Sequence, residues 1–555
     1  MVRAFPTPQS GDSIVAPPNP VTMSDTPIDF SALPQAELTD DGGKALAARL
    51  CATSDIAHAV AEAVRQNWAV MPAGGLTSAI GSYDYTPEDV AGFQGVVAIR
   101  PKGALSAEIV DAATPLEDLR THQVAISAEQ GLISAGAGLT FTQVNAALAE
   151  IAGPTARVLV DLTSIGSAFV GGVIATGGMG PLRLHPSNLL DAVVVADGGA
   201  PRLVSGDAIA DIEGMQGWTG MVAAVRFRFV LVPASEFGLV LPVQGSDTDT
   251  MAGLLKYLRP WTRVTLPEAG QLISGEGGET VLNGIELVSR DSLEAFIEHA
   301  EEPARSKAEG LLQSCDYAGS DMLACLTGWS ELSIDDVLMS LLDPETETIG
   351  GVGIDFGVGF SSGAEMETFR AIREGAPDLA RTKARVVQPG KLKPWSTSTD
   401  INMVLPGDSS AIASVLEAYA DYRTAIRTLK RELAGAVEVE LAAYGHLSPA
   451  GIDPHHRVTL FAPEGAEAAL TGARHAVAAH KRTLIHDLLF AARNHDCDVT
   501  GGEKGAPSLV EIARAAGGEG RLPEGLKARF RRARAAVMAA PAHFAFRAPP
   551  ELKAE

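Results

Sequence analysis

The sequence predicts an α+β protein whose two main parts differ in their residue patterns. Between Trp68 and Pro233, short apolar runs alternate with glycine-rich turns, which is typical of compact strand–turn–helix units. From about residue 234 onward, strand-like runs alternate with amphipathic helices, which favours an open sheet backed by helices. The last segment, 511–555, is predicted to be a helical tail.

The residues before the first part are rich in Pro, Ser, Thr and Asp, so residues 1–42 are predicted to be a disordered arm. A helix is predicted over 55–66, because Ile56, Val60 and Val64 fall on one stripe.

Three glycine-rich segments follow, and they are the most informative feature of the chain. They are Met71–Ser82, Leu132–Leu139 and Asp161–Gly180, and the second leads into a predicted helix over 142–150. Each glycine inside a helix costs about 1 kcal/mol relative to alanine, so the third segment is not an ordinary helix. Backbone without side chains can instead lie close to a large ligand and present N–H groups to phosphate oxygens.

The second part reads as a series of alternating elements. Strands are predicted at 238–243, 284–288, 325–329, 437–444 and 456–462, and helices at 247–258, 291–304, 333–342, 409–434 and 466–493.

Composition excludes several functional classes. A net charge of −24 does not favour nucleic-acid binding. Neither an 18-residue apolar run nor an apolar signal-peptide core is present, so we expect a cytoplasmic protein without a transmembrane segment. The four cysteines lack the spacing of disulfide, zinc or iron–sulfur scaffolds. The basic run 527–534 is interpreted as one face of a C-terminal helix, with membrane or partner docking as the alternative.

The glycine segments carry a resemblance to a known family. The motifs are Pro72-Ala-Gly-Gly-Leu-Thr-Ser78, Gly136-Ala-Gly138, Asp161-Leu-Thr-Ser164, Val170-Gly-Gly-Val-Ile-Ala-Thr176 and Val193-Val-Val-Ala-Asp-Gly198. In these motifs the chain resembles FAD-linked oxidases and dehydrogenases with a vanillyl-alcohol-oxidase (PCMH) type flavin domain. Its closer similarity is to the D-2-hydroxyacid dehydrogenases, which act on D-lactate, glycolate or 2-hydroxyglutarate.

The resemblance implies a domain plan and a cofactor. Residues 43–235 would form an FAD-binding domain of two α/β subdomains, and 236–510 a cap domain with an open antiparallel sheet backed by helices. A C-terminal helical segment would follow. The residues implied in FAD binding are Pro72, Gly74, Gly75, Thr77, Ser78, Gly136, Gly138, Asp161, Ser164, Gly171, Gly172, Ile174, Ala175 and Val222. No His or Cys occurs in the first or third glycine segment, so we expect non-covalent FAD.

The resemblance also implies a metal site near the C-terminus. His446, one of His455 or His456, and Glu503 match a family set of two imidazoles and a carboxylate, which suits zinc or manganese. Of the two neighbouring histidines, His456 is assigned as the metal ligand together with His446. The alternative interpretation is that the histidines lie at the surface and that the glutamate has a structural role. The chain departs from the family at Lys504, where the family has a histidine, and at 398–399, where it has a lysine.

The remaining candidate is Arg373, which matches a substrate-facing arginine of the family. A guanidinium suits carboxylate recognition, whereas the alternative is a helix-surface arginine paired with Glu374 or Asp378. Without a metal, Arg373 and Lys504 would form the carboxylate-binding pair.

The predicted function is FAD-dependent oxidation of a small 2-hydroxy acid, with His446 or His456 as the base. Two other functions stay open: an alcohol or alditol oxidase on the same fold, and a non-catalytic flavoprotein subunit of an electron-transfer complex. The electron acceptor is unknown, and a homodimer stays open as the assembly.

Overall fold

The computed structural model describes residues 28–39, 45–74, 85–160, 162, 164–178, 189–245, 247–262, 264–265, 268–275, 278, 280–361, 363–383, 388–399, 401, 403–404, 409–448, 451–495, 498–499 and 505–553. Within these ranges, three sheets of four or more strands carry the fold.

The first sheet has the strand order β1-β2-β4-β3, so β3 lies at an edge. Its strands are β1 (Gln35–Thr39), β2 (Ala45–Thr53), β3 (Ala69–Pro72) and β4 (Val96–Pro101), and helix α1 (Ile56–Arg65) packs on it. Asp55 begins α1 by accepting a hydrogen bond from the His58 amide at 3.0 Å. The prediction of a disordered arm is wrong for residues 28–39, because β1 pairs with β2 and Phe30 is buried beside Trp68.

The second sheet has the order β10-β9-β11-β7-β6-β5 and carries two of the predicted glycine segments. Its strands are β5 (Glu108–Val110), β6 (Gln123–Ser127), β7 (Leu132–Gly136), β9 (Leu190–Ala196), β10 (Arg202–Ser205) and β11 (Met221–Arg228). Helix α2 (Phe141–Ala152) follows β7, and the short helix α3 (Val170–Thr176) lies within the third glycine segment. A separate pair, β8 (Ala156–Arg157) and β12 (Val230–Leu231), flanks this sheet.

The third sheet has nine strands, and its pairings are antiparallel. They are β13 (Ser235–Val243), β16 (Thr280–Ser289), β17 (Met322–Ser330), β20 (Val358–Phe360), β21 (Trp395–Ser398), β22 (Met403–Val404), β23 (Glu438–Ser448), β24 (Gly451–Phe461) and β25 (Asp498–Val499). The order is β20-β13-β17-β16-β23-β24-β22-β25, with β21 also on β24. Two small pairs lie outside it: β14 (Val264–Thr265) with β15 (Ser274–Gly275), and β18 (Thr348–Ile349) with β19 (Val352–Gly353).

Helices cover both faces of this sheet. They are α4 (Thr248–Thr262), α5 (Arg290–Ile297), α6 (Ala304–Ala318), α7 (Ile334–Leu341), α8 (Gly363–Lys383), α9 (Ser409–Glu432) and α10 (Glu467–Asn494). Val240, Val288 and Leu323 face α5, α6 and α8, whereas the alternate residues Leu239 and Ile285 face α4 and α9. The helix predicted over 291–304 is in fact two helices, since α5 ends at Ile297 and α6 begins at Ala304.

The C-terminal tail returns to the first sheet. Its helices are α11 (Ala506–Ala516), α12 (Glu524–Ala539), α13 (Ala542–Ala545) and α14 (Pro550–Lys553). Phe544 is buried in the cluster that contains Val70, and Phe546 in the cluster that contains Met71. Since successive strand residues point to opposite sides, the two rings lie on opposite faces of β3. The tail is therefore part of the protein core.

The basic run of α12 is engaged within the chain. Arg531 and Arg534 contact Glu519 at 2.6 and 2.8 Å, and Arg532 contacts Asp211 at 2.7 Å. A span across a bilayer would need a longer apolar helix than any found in the described ranges.

Candidate active site

Two glycine segments from distant parts of the chain meet backbone to backbone. Pro72 ends β3 and leads to Gly74, while Gly172 lies in α3. A methyl group built on Gly74 would lie 3.4 Å from the Gly172 Cα, and one built on Gly172 would lie 3.8 Å from the Gly74 Cα. Gly75, Thr77 and Ser78 lie outside the described residues.

Other glycines of the predicted set are required by packing inside the protein. A side chain on Gly136 would collide with the Arg120 carbonyl oxygen, and one on Gly138 would lie 2.9 Å from the Pro101 Cβ. A methyl on Gly171 would lie 2.7 Å from the Ala137 Cβ. These three glycines therefore let the turn after β7 and α3 pack closely.

The first amides of α3 are also used within the chain. Val170 N–H donates to the Leu139 carbonyl at 2.7 Å, and Gly171 N–H donates to the Ala137 carbonyl at 3.1 Å. The expectation that the whole segment offers its amides to a ligand is therefore corrected at these two residues. In α3, Gly172 is the glycine that faces Gly74 of the first glycine segment.

The end of α3 is held by the loop that precedes β11. Gly214 N–H donates to the Ile174 carbonyl at 3.1 Å, and Gln216 N–H donates to the Ala175 carbonyl at 2.7 Å. Val222 is buried in β11, with its carbonyl oxygen 3.3 Å from the methyl position on Gly171.

Two further predicted residues precede α3. The Ser164 carbonyl accepts the amides of Ser167 and Ala168 at 2.9 and 2.8 Å, so it forms a turn before the helix. Asp161 lies outside the described residues.

The glycines at this contact fit FAD. Because neither Gly74 nor Gly172 carries a side chain, a diphosphate could approach the backbone beside their contact closely. The fit depends on the contact between Gly74 and Gly172 and on the position of Val222 beside α3.

A second constellation lies on one face of the third sheet. In the strand register, Glu286 of β16 is opposite His446 of β23, and His446 is opposite Asp453 of β24. Tyr444 is opposite His455. Directly opposed residues share a face, so these side chains point the same way, and all five are buried.

The charged groups of this face form a connected chain. Arg373 Nε lies 3.6 Å from Glu286 Oε2, and Glu286 Oε1 lies 4.0 Å from His446 Nδ1. The rings of His446 and His455 are 5.1 Å apart, and His455 Nε2 lies 3.8 Å from Asp453 Oδ2. Charges interact strongly in such a buried setting, and clusters of this kind are typical of functional sites.

Arg373 is not a surface residue. Its Nη2 lies 3.3 Å from Glu374 Oε1, which is the predicted pairing, but its side chain is only 3% exposed. The Asp378 side chain lies outside the described residues. Burial and the contact with Glu286 give Arg373 a place in the polar face rather than on the helix surface.

Glu286 and Asp453 are members of the site that sequence analysis missed. Glu286 interrupts the apolar run Gly284-Ile-Glu-Leu-Val288, and a lone acid in such a strand is a detectable signal because it needs a buried partner. Asp453 lies between the strands predicted at 437–444 and 456–462, in a segment for which no element was predicted.

The structure does not bring His446 and His456 together. His456 is opposite Ala443, so it points to the other face of the sheet. There its ring stacks on Tyr419 at 5.2 Å, and its Nε2 lies 3.4 Å from Arg423 Nη1. Burial and the Arg423 charge hold the pKa of His456 well below its ordinary value of 6.5. Of the two alternatives, His455 is the one beside His446.

The described ranges contain no group of three or more His, Cys, Asp or Glu side chains placed to hold a metal ion. Glu503 and Lys504 lie outside those ranges. Near the other family departure, Lys481 Nζ donates to the Ser398 carbonyl at 2.6 Å, and Thr399 Oγ1 accepts the His456 amide at 3.0 Å.

Comparison with known proteins adds evidence at the level of the fold. A scan against protein-family models gives no match, and a search of curated proteins gives none. Two structures of alkyldihydroxyacetonephosphate synthase match at 10% identity, with TM-scores of 0.53 and 0.50. They cover 82% and 80% of this chain and 73% and 76% of theirs. A variant of berberine bridge enzyme covers 97% of this chain and 96% of its own at 11% identity, with a TM-score of 0.48. The chain therefore shares the overall mixed α/β fold of the synthase structures.

Proposed function

We propose that this chain is an FAD-dependent oxidoreductase that holds FAD non-covalently. The observation that carries the proposal is the approach of Gly74 and Gly172, where two glycine backbones face each other without a side chain between them. The fold shared with alkyldihydroxyacetonephosphate synthase supports an enzyme of this architecture. Pro72, Gly74 and Gly172 would line the diphosphate, and Val222 would lie beside a ring edge. When bound, FAD would supply the acceptor for a hydride.

The substrate of the proposal is a small 2-hydroxy acid. Arg373 would bind its carboxylate, because a guanidinium recognises carboxylates bidentately and Glu374, at 24% exposed, is the partner that a substrate can replace. His446 would accept the hydroxyl proton at Nε2, since Nδ1 faces Glu286. His456 has no role in the proposal because its ring lies on the opposite face.

In a second form of this proposal, the same substrate site also holds a divalent ion. It would join His446 and His455, whose rings are 5.1 Å apart, to Glu503. Metal analysis of chelator-free protein beside His446→Ala tests this form. One ion per chain that disappears in the variant supports it, and metal-free protein with full turnover contradicts it.

The test of the proposed function is the visible spectrum of the purified protein followed by an anaerobic substrate screen. We expect a flavin spectrum, release of intact FAD by acid, and bleaching by one of a panel of D- and L-2-hydroxy acids. Bleaching by alditols or alcohols alone would favour the alcohol oxidase alternative. A flavin that no substrate reduces would favour an electron-transfer subunit. A colourless protein that cannot be reconstituted with FAD would overturn the proposal.

A matched pair of variants tests the substrate role of Arg373. Arg370 lies on the same helix and pairs with Glu236 at the surface. A charged hydrogen bond contributes about 1.5–3 kcal/mol, so Arg373→Gln should raise the half-saturating substrate concentration roughly tenfold to hundredfold. Arg370→Gln should leave it unchanged. Equal effects in the two variants would argue against carboxylate binding by Arg373.

A further inference from the structure

The C-terminal tail closes around the strand that leads into the first glycine segment. β3 lies at the edge of its sheet, and α13 packs against it. Phe544 contributes to the core on one face of β3, and Phe546 contributes to the core on the other, together with Met71 and Ala73. β3 is hydrogen-bonded to a neighbouring strand on one side, through β4, so the packing of the tail adds a second support to the strand that leads to Gly74.

Arg547 connects the tail to the loop before β11. Its side chain is buried, and Nη2 donates to the Gln216 carbonyl oxygen at 3.5 Å. The guanidinium carbon also lies 5.6 Å from the centre of the Phe546 ring. Phe546 thus contacts β3, and the adjacent residue Arg547 contacts the loop.

The loop contacts both α3 and the end of β3, which carry the residues proposed to bind FAD. On one side, Gly214 and Gln216 donate to the last carbonyls of α3. On the other, Gly217 has a φ of +69°, and a methyl group on it would lie 2.9 Å from the Pro72 Cγ. A displacement of this loop would therefore change the distance between α3 and the end of β3.

We infer that Arg547 is a positioning residue for the cofactor cleft. By holding the Gln216 carbonyl, it keeps the loop packed against Pro72 and α3, and so maintains the contact between Gly74 and Gly172 beside which FAD is proposed to bind. This role rests on the proposed binding of FAD. It operates through the loop and requires no contact between Arg547 and the cofactor.

The experiment compares Arg547→Gln, Arg547→Lys and Arg514→Gln with the unmodified protein. Arg514 is the matched control because it is 57% exposed and pairs with Glu551 of the same tail, away from the loop. FAD affinity and dissociation are followed by flavin fluorescence, and the thermal midpoint of each apoprotein is measured beside them. Loss of this one long hydrogen bond should weaken FAD binding roughly twofold to fivefold in Arg547→Gln. Arg547→Lys should recover part of this loss, and Arg514→Gln should bind like the unmodified protein.

Three results would overturn the inference. One is unchanged FAD binding by Arg547→Gln, including the case in which only the apoprotein midpoint falls. Another is an equal loss in Arg514→Gln, which would indicate a general effect of tail stability. If Arg547→Gln does not fold, Gly217→Ala is used in its place, because it disturbs the contact between the loop and Pro72. Unchanged FAD release in Gly217→Ala is the third result. An unmodified protein that binds no FAD would overturn the proposed function together with this role.

Discussion

Glu286 is the residue that connects Arg373 to His446 in the buried polar face. Its side chain is 1% exposed and lies between Arg373 and His446. An ionised carboxylate at such a depth persists only with charged partners, and a buried arginine likewise requires its acid. The stability of this face therefore depends on the pair and not on either residue alone.

Replacing Glu286 tests this dependence. Glu286→Gln keeps the shape but removes the buried negative charge that faces Arg373. Breaking a buried ion pair costs several kcal/mol, so we expect the free energy of unfolding to fall by about 3 kcal/mol. Glu374→Gln removes the more exposed partner and should cost less than about 1 kcal/mol. Urea unfolding of both variants measures the difference, and equal losses would contradict the argument.

His456 should make stability dependent on pH in a defined direction. Its pKa in the folded protein is well below 6.5 because it is buried and faces the charges of Arg423 and Arg427. Below pH 6.5 the unfolded chain therefore binds a proton that the folded protein does not, so stability falls as the pH is lowered.

The measurement is the free energy of unfolding across roughly pH 8 to 5. His456→Gln should flatten the decrease at the acid end, because the proton-binding group of the unfolded chain is lost. His475→Gln, at an exposed position of α10, should leave the slope as it is. A slope that is the same in all three proteins would assign the acid sensitivity to other groups.

At the scale of elements, α3 carries two adjacent glycines with opposite surroundings. Gly171 packs against Ala137, whereas among the described residues Gly172 faces Gly74. Alanine is favoured over glycine in a helix by roughly 0.5–1 kcal/mol at either position. Only the surroundings therefore distinguish the two substitutions.

The two alanine variants should consequently separate stability from cofactor binding. Gly172→Ala should keep or slightly raise the stability of the apoprotein while weakening FAD binding, because the methyl enters the space between the glycine segments. Gly171→Ala should destabilise the apoprotein through its contact with Ala137. Thermal unfolding and FAD titration distinguish them. Normal FAD affinity in Gly172→Ala would indicate that this glycine faces no ligand.

Elements with strong periodicity were predictable from sequence. The helices predicted at 247–258 and 409–434 are observed as Thr248–Thr262 and Ser409–Glu432. Strands were also predicted at 437–444 and 456–462, but β23 continues to Ser448 and β24 already begins at Gly451. This extension was not predicted, because Pro454 and the polar residues around it resemble a loop. The faces of a hairpin follow from its register, which local patterning does not reveal. For that reason the choice between His455 and His456 needed the structure.

At the scale of the whole molecule, the glycine segments and their family resemblance could be recognised from short stretches of sequence. The packing of the C-terminal tail against the first sheet could not be predicted in this way. Lys553 and Asp89 are in contact although they are 464 residues apart in sequence. No local pattern encodes such a contact. Phe544 and Phe546 look like ordinary apolar residues of a terminal helix until the first sheet is seen around them.

The contribution of the tail to global stability can be measured with one matched pair. Phe544 is fully buried, so Phe544→Ala should lower the free energy of unfolding by about 3–5 kcal/mol. Phe490 on α10 is 66% exposed, and Phe490→Ala should change it by no more than about 0.5 kcal/mol. Denaturant unfolding measures both. A small effect of Phe544→Ala would mean that the first sheet is stable without the tail.

The seating of the tail across β3 also has a consequence for biosynthesis. During translation the first sheet emerges from the ribosome long before the phenylalanines that complete its two cores. Contacts between residues so far apart in sequence form slowly, and incomplete cores expose apolar surface until they form. The first sheet should therefore reach its final packing only after Phe546 has been made, and nascent chains stalled before Phe544 should engage chaperones and remain sensitive to protease within residues 45–101.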